Sequence, residues 1–141
     1  MTTGRILGLD PGERRIGVAL SDPTGIIAQP HDVIDRKVTD PVKAVQELVR
    51  EHEVVTVVIG LPVSLSGGEG PAAQAAREFG ATMESALDVE VCYQDERFTT
   101  VTAEEALIEA GVRREKRRDV RDKVAAAVML QAYLDSRHYN Q

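Results

Sequence analysis

Cysteine is almost missing from this chain of 141 residues: Cys92 stands alone. No intramolecular disulfide can form, so a hydrophobic core must hold the fold. A lone cysteine within an expected strand reads as a small core residue rather than a nucleophile, and suits a reducing compartment. Long apolar runs are also missing. Nothing approaches the 18 or more consecutive apolar residues of a membrane span, and the opening MTTGRILG lacks the apolar region and cleavage site of a secretory signal. A soluble, cytoplasmic protein is expected. Histidine is equally scarce: His31, His52 and His138 are scattered without the spacing of a ligand set and receive no role. There is no internal repeat or low-complexity tract. The glycine-rich stretch 60–71 lacks the Lys-Ser/Thr ending of a nucleotide P-loop.

Basic charge is short too, with 17 Lys+Arg against 23 Asp+Glu and a net charge of −6, which excludes a generally basic nucleic-acid coat. The distribution is more telling than the sum. Residues 1–112 hold 9 basic and 19 acidic side chains, or −10, whereas residues 113–141 hold 8 and 4, or +4. The basic charge is concentrated in Arg113-Arg114-Glu115-Lys116-Arg117-Arg118. Length fits one domain over residues 1–141, since a chain of this size buries about two-thirds of its unfolded surface without staples.

What is present begins with RILGLDPGERRIGVALSD, residues 5–22: two apolar runs around Asp10-Pro11-Gly12-Glu13. Proline presets the first central turn position and glycine supplies positive φ at the second, so this tetrapeptide reads as a type II turn joining strands over about 5–10 and 15–21. A third strand over about 26–35 completes an antiparallel meander. Pro30 inside it cannot donate to a ladder, which places that strand at an edge or a bulge. The period then changes. Asp40-Pro41 with Val42, Val45, Leu48 and Val49 predicts a capped helix ending near His52. VVTVVI, residues 54–59, reads as a parallel strand buried on both faces.

The loop 60–71, with four glycines and two prolines, reads as a flexible rim; an alanine-rich helix over about 72–87 and a strand over 89–93 follow. Beyond them a short helix is expected over 103–110, then a basic loop, then a final helix over about 119–136.

Carboxylates recur at three places: Asp10 at the end of the first strand, Asp95-Glu96 after the last, and Asp119 and Asp122 at the start of the final helix. Each has a bland reading. Asp is common at the first position of a turn, and a carboxylate in a helix's first turn is favoured by the helix dipole. Against this, three acidic groups at one sheet end are what hard divalent cations require.

The segments GLDPGERRIGVALSD, VIGLPVSLSGGEGP, DERFTT and DKVAAAVMLQAYLD resemble, in order, the four signature blocks of the YqgF-type family, whose members are described as candidate Holliday junction resolvases and candidate pre-16S rRNA nucleases. The resemblance covers nearly the whole chain. It departs at Ser64 and Ser66, where Asn and Asp are frequent. It implies a ribonuclease H-like α/β fold, with a five-stranded mixed sheet of order 3-2-1-4-5 flanked by helices. It also implies a metal-dependent endonuclease acting on an rRNA precursor or branched DNA.

By position, the resemblance makes Asp10, Glu96 and Asp122 the catalytic ligands for Mg2+ or Mn2+, with Asp95 as a substitute. One ion would activate water and the other would stabilise the leaving oxygen. Arg113, Arg114, Lys116, Arg117 and Arg118 would then grip nucleic acid. In that sheet order Glu96 starts about 10 Å from the first strand, two strand spacings away, and must fold inward. The oligomeric state stays open, a homodimer included. Two other readings share parts of the pattern. One is a nucleotide-binding fold of the actin and sugar-kinase type, which needs two such domains. The other is a non-catalytic nucleic-acid-binding or ribosome-assembly factor on the same fold.

Overall fold

Side chains alternate in direction along the first strands, yet β1 and β2 are buried almost without a break, because both faces of the sheet are covered. The computed structural model describes residues 4–63, 67–96 and 114–139. Its strands β1 (Arg5–Pro11), β2 (Arg15–Ser21) and β3 (Ala28–Asp35) form the antiparallel meander. They are followed by α1 (Pro41–Glu51), β4 (Val54–Leu61), α2 (Pro71–Ala86), β5 (Glu90–Asp95) and α3 (Arg114–Tyr139). The sheet order is β3-β2-β1-β4-β5, with β4 parallel to both β1 and β5, in agreement with the sequence-based expectation.

On one face Leu7, Leu9, Ile16, Val18, Val57 and Ile59 pack with Val45 of α1 and with Phe79 and Met83 of α2. On the other, Ile6, Ala19 and Val58 meet Ala126, Met129, Leu130 and Leu134 of α3. Full burial of each large apolar side chain contributes roughly 1.5–3 kcal/mol, so α3 is fixed chiefly by Met129, Leu130 and Leu134. Between Ile6 and Val58 this second face is opened by glycines. A Cβ at Gly8 would lie 2.9 Å from Leu130 Cβ, and one at Gly17 would overlap the Asp122 carbonyl oxygen. The helix therefore rests almost on bare backbone.

Local signals hold where they rest on a specific hydrogen bond. Asp40 accepts from Val42 N–H at 3.1 Å and Pro41 opens α1. Pro30 lies on an edge strand and also at a bulge, because Val18 pairs with Asp32 while Ala19 pairs with Pro30, leaving His31 as the extra residue.

Four local features differ from expectation. The hairpin turn falls between Gly12 and Arg15, whose carbonyl accepts from Gly12 N–H at 2.9 Å, and Pro11 is still paired with Ile16. Cross-strand register prevails over the Pro-Gly turn signal. Gly12 does not take positive φ, and its missing Cβ instead relieves a 2.9 Å approach to the Arg15 oxygen. Second, β5 runs on to Asp95.

Third, the flanks of the 60–71 loop are pinned, not free: Val63 bridges to Glu69, and Arg77 of α2 grips both oxygens of Glu69 at 2.7 and 2.8 Å. Fourth, α3 already includes Arg114 to Arg118, where the sequence pattern predicts a basic loop. Arginine and lysine are good helix formers even without an apolar period. The short helix expected over 103–110, together with Ser64, Ser66 and Arg113, lies outside the described residues.

Candidate active site

Asp10 occupies the next-to-last position of β1, paired with Gly17 across the hairpin. Ile6 and Gly8, on its side of the strand, both face α3, and alternation turns Asp10 the same way. Two neighbouring strands hold this carboxylate in register, which a metal ligand requires.

Glu96 follows β5 directly. Its N–H still donates to the Leu61 carbonyl at 3.0 Å, so sheet pairing positions it. The side chain lies across Gly60 of β4, where a Cβ would run into Glu96 Oε1. The bare glycine closes the gap of two strand spacings, and Glu96 is hydrogen-bonded to Asp10. Glu96 is only 9% exposed. Burial first, then the charge of Asp10 and the hydrogen bond to it, push the Glu96 carboxyl far above the ordinary glutamate range. Burial also raises Asp10, partly offset by that hydrogen bond, and the charge of Asp122 raises it further. The two carboxyls are thus coupled, and burial together with their like charge works against ionising both at once.

Asp122 is the ninth residue of α3, beyond the first turn, so the dipole and capping explanation does not apply to it. It falls on the same helical stripe as Ala126 and Leu130, which rest on the sheet. Its Oδ2 accepts from Arg15 Nε at 2.7 Å, both side chains being partly buried. Asp95 alternates away from Glu96, on the side of Val91 and Tyr93, and its charge helps to raise the Glu96 carboxyl. Arg114, Lys116, Arg117 and Arg118 lie in the opening turns of α3, in the chain just before Asp122.

Among the described residues no three acidic, histidine or cysteine side chains form a ready-made ligand set, for Asp122 is engaged with Arg15. The donor chemistry nevertheless fits a hard divalent cation. All three groups are carboxylates, hard oxygen donors whose negative charge a divalent cation would offset. Local sequence pattern does not single out Arg15, Gly17 or Gly60. The available signal is the two glycines, which weaken strand interiors unless something approaches closely there.

A mixed five-stranded sheet in this order, with a carboxylate at the end of β1, another after β5 and a third on the helix covering that face, defines a ribonuclease H-like domain. The chain belongs to the RuvX family, described as Holliday junction resolvase, which it matches over residues 4–136. A protein of Pelotomaculum thermopropionicum named "Putative pre-16S rRNA nuclease" is 48% identical over 134 residues, covering 94% of this chain and 87% of the relative. One of the same name from Halothermothrix orenii is 46% identical over 132 residues, covering 93% and 94%. Among solved structures, T. thermophilus RuvC in complex with Holliday junction substrate aligns with a TM-score of 0.58 and 16% identity over 96% of both chains, a likeness of fold.

Proposed function

We propose that this chain is a metal-dependent endonuclease that hydrolyses phosphodiester bonds in structured nucleic acid in the cytoplasm, with Asp10, Glu96 and Asp122 as its metal ligands. One observation carries the reading: Glu96 crosses Gly60 to meet Asp10 beneath the helix that bears Asp122. Such a concentration of buried acid has no stabilising purpose in the metal-free fold, because burial and like charge both act against it. Family membership and the nuclease names of the relatives point the same way.

Bound Mg2+ or Mn2+ would supply Lewis acidity, activating the attacking water and stabilising the leaving oxygen. The protein's own contribution is placement. Asp10 offers a carboxylate held in register by its pairing with Gly17, Glu96 would ligate in its ionised form, and Asp122 would bring a third charge from α3. A cavity of about 730 Å³ lined by Pro11, Gly12, Glu13, Arg36 and the start of α2 opens on the opposite face of the sheet from α3. The substrate side of this reading is the α3 side, supported by the basic residues 113–118 that precede Asp122 in the chain.

The test is a cleavage assay offering a four-way DNA junction and an rRNA precursor side by side, with and without Mg2+ or Mn2+. Cutting should require the cation and fall at least 100-fold in Asp10→Asn, because an amide supplies the shape but not the charge. Asp10→Asn should also melt at the same or a higher temperature. Full activity of that variant with Mg2+ would remove the site. Metal-independent binding without cleavage would assign the chain to the non-catalytic factors.

A further inference from the structure

Arg15 and Gly17 are two residues apart on β2 and so belong to one face of the sheet. Both act on Asp122. Arg15 Nε donates to its Oδ2 at 2.7 Å, and at Gly17 the Asp122 main chain occupies the space of a missing Cβ, with Lys123 N only 3.3 Å from that point. A single residue of α3 is thus held twice by one strand, through its carboxylate and through its backbone. Gly17 is also the cross-strand partner of Asp10. The seat on β2 consequently sets where the Asp122 carboxylate stands relative to Asp10.

We propose that Arg15 is a positioning residue of the metal site, orienting Asp122 so that it completes the carboxylate set around Asp10 and Glu96. The proposal rests on the nuclease reading above. Ligating carboxylates are commonly oriented by hydrogen bonds from groups that never touch the metal. Arginine suits the task because its Nε–H has a fixed direction in the guanidinium plane, whereas a lysine ammonium supplies charge without that direction. Its charge also offsets repulsion between Asp122 and the acidic pair. An ion pair that merely fastened α3 to the sheet would affect melting and leave metal affinity alone. A guanidinium that competed with metal for Asp122 would produce tighter metal binding on removal.

Calorimetric titration of the full chain with Mn2+, together with thermal unfolding, separates these cases. Arg15→Met should weaken Mn2+ binding about 10–100-fold, the range for groups that orient a ligand, while the melting temperature shifts by a few degrees at most. Arg15→Lys should fall between Arg15→Met and the parent. In the Asp122→Asn background Arg15→Met should weaken binding little further, since Arg15 acts only through that carboxylate. Parent-like or tighter Mn2+ binding by Arg15→Met, or independent losses from the two substitutions, overturns the proposal. If Arg15→Met does not fold, parent-like affinity in Arg15→Lys overturns it equally. Asp10→Asn tells the two levels apart. If it binds Mn2+ like the parent, or if the parent binds none, the carboxylate site itself fails. If it loses Mn2+ while Arg15→Met does not, only the positioning role fails.

Discussion

Asp22 and Glu96 are both carboxylates, yet the fold treats them in opposite ways. Asp22 is partly exposed and collects the N–H groups of Thr24, Ile26 and Ile27 at 3.2, 2.8 and 2.8 Å, together with the Thr24 hydroxyl. The Ile27 N–H above all, then the Thr24 hydroxyl, holds its pKa far below the ordinary 3.8. Its folded pKa being depressed, its contribution is present above that ordinary value and is lost as pH falls below it. Asp22→Ala should lower the melting temperature by a few degrees at neutral pH, a difference that narrows in acid; an equal gap at both pH values would contradict this.

Glu96 has the reverse sign. Its folded pKa is raised, so its contribution is complete below the ordinary 4.5 and is lost as pH rises. In the presence of chelator the parent should melt at progressively lower temperature from about pH 5 upward, and Glu96→Gln should flatten that slope and melt higher at alkaline pH. Superimposable melting profiles across that range would show that the buried pair carries no such cost.

Among the elements, two glycines on the α3 face make different demands. A Cβ at Gly60 meets the movable end of Glu96, whereas one at Gly17 meets the main chain of α3. Gly60→Ala should therefore abolish most cleavage, by 10-fold or more on the scale of a displaced ligand, with a small change in melting. Gly17→Ala should cost stability, roughly 1–3 kcal/mol as overpacking does, seen as a lowered denaturation midpoint. Equal stability losses in the two variants would argue against this distinction.

The strands are legible in the sequence because short, nearly continuous apolar and β-branched runs leave a local imprint, as in VVTVVI. The cap at Asp40 is legible for the same reason. The turn is not, because Pro11-Gly12 announces itself locally, while pairing of Pro11 with Ile16 is decided across the hairpin. The start of α3 escapes a reading by pattern because Arg114 to Arg118 has no apolar period. At the site, Asp10 and Asp122 each admit a turn or helix-dipole reading locally, and it is the resemblance to the family's blocks that picks them out. The reach of Glu96 depends on an absent side chain on a different strand, and no local window contains that fact.

For the molecule as a whole, charge is the organising variable. The chain up to residue 112 carries −10, and its acidic end must receive a polyanion. Residues 114–118 sit at the start of α3, where the helix dipole disfavours cations, so local helix stability does not explain them. Changing Arg113, Arg114, Lys116, Arg117 and Arg118 to Gln should weaken binding of both substrates. It should also flatten the salt dependence, by about one unit of slope for each phosphate that is no longer neutralised. Parent-like binding at low and moderate salt would move the substrate track elsewhere.

The rim of the sheet has a different consequence, for behaviour in concentrated solution. A free sheet edge is a template on which a second chain can add its own strand, and so start a fibre. On β3 this template is interrupted where Pro30 offers no N–H and His31 throws the ladder out of step. Pro30→Val with His31 deleted would restore a continuous edge, and on prolonged warming that variant should bind an amyloid dye and scatter light while the parent stays clear. The bulge thus acts as a built-in guard against polymerisation, sparing the chain from templating its own aggregation.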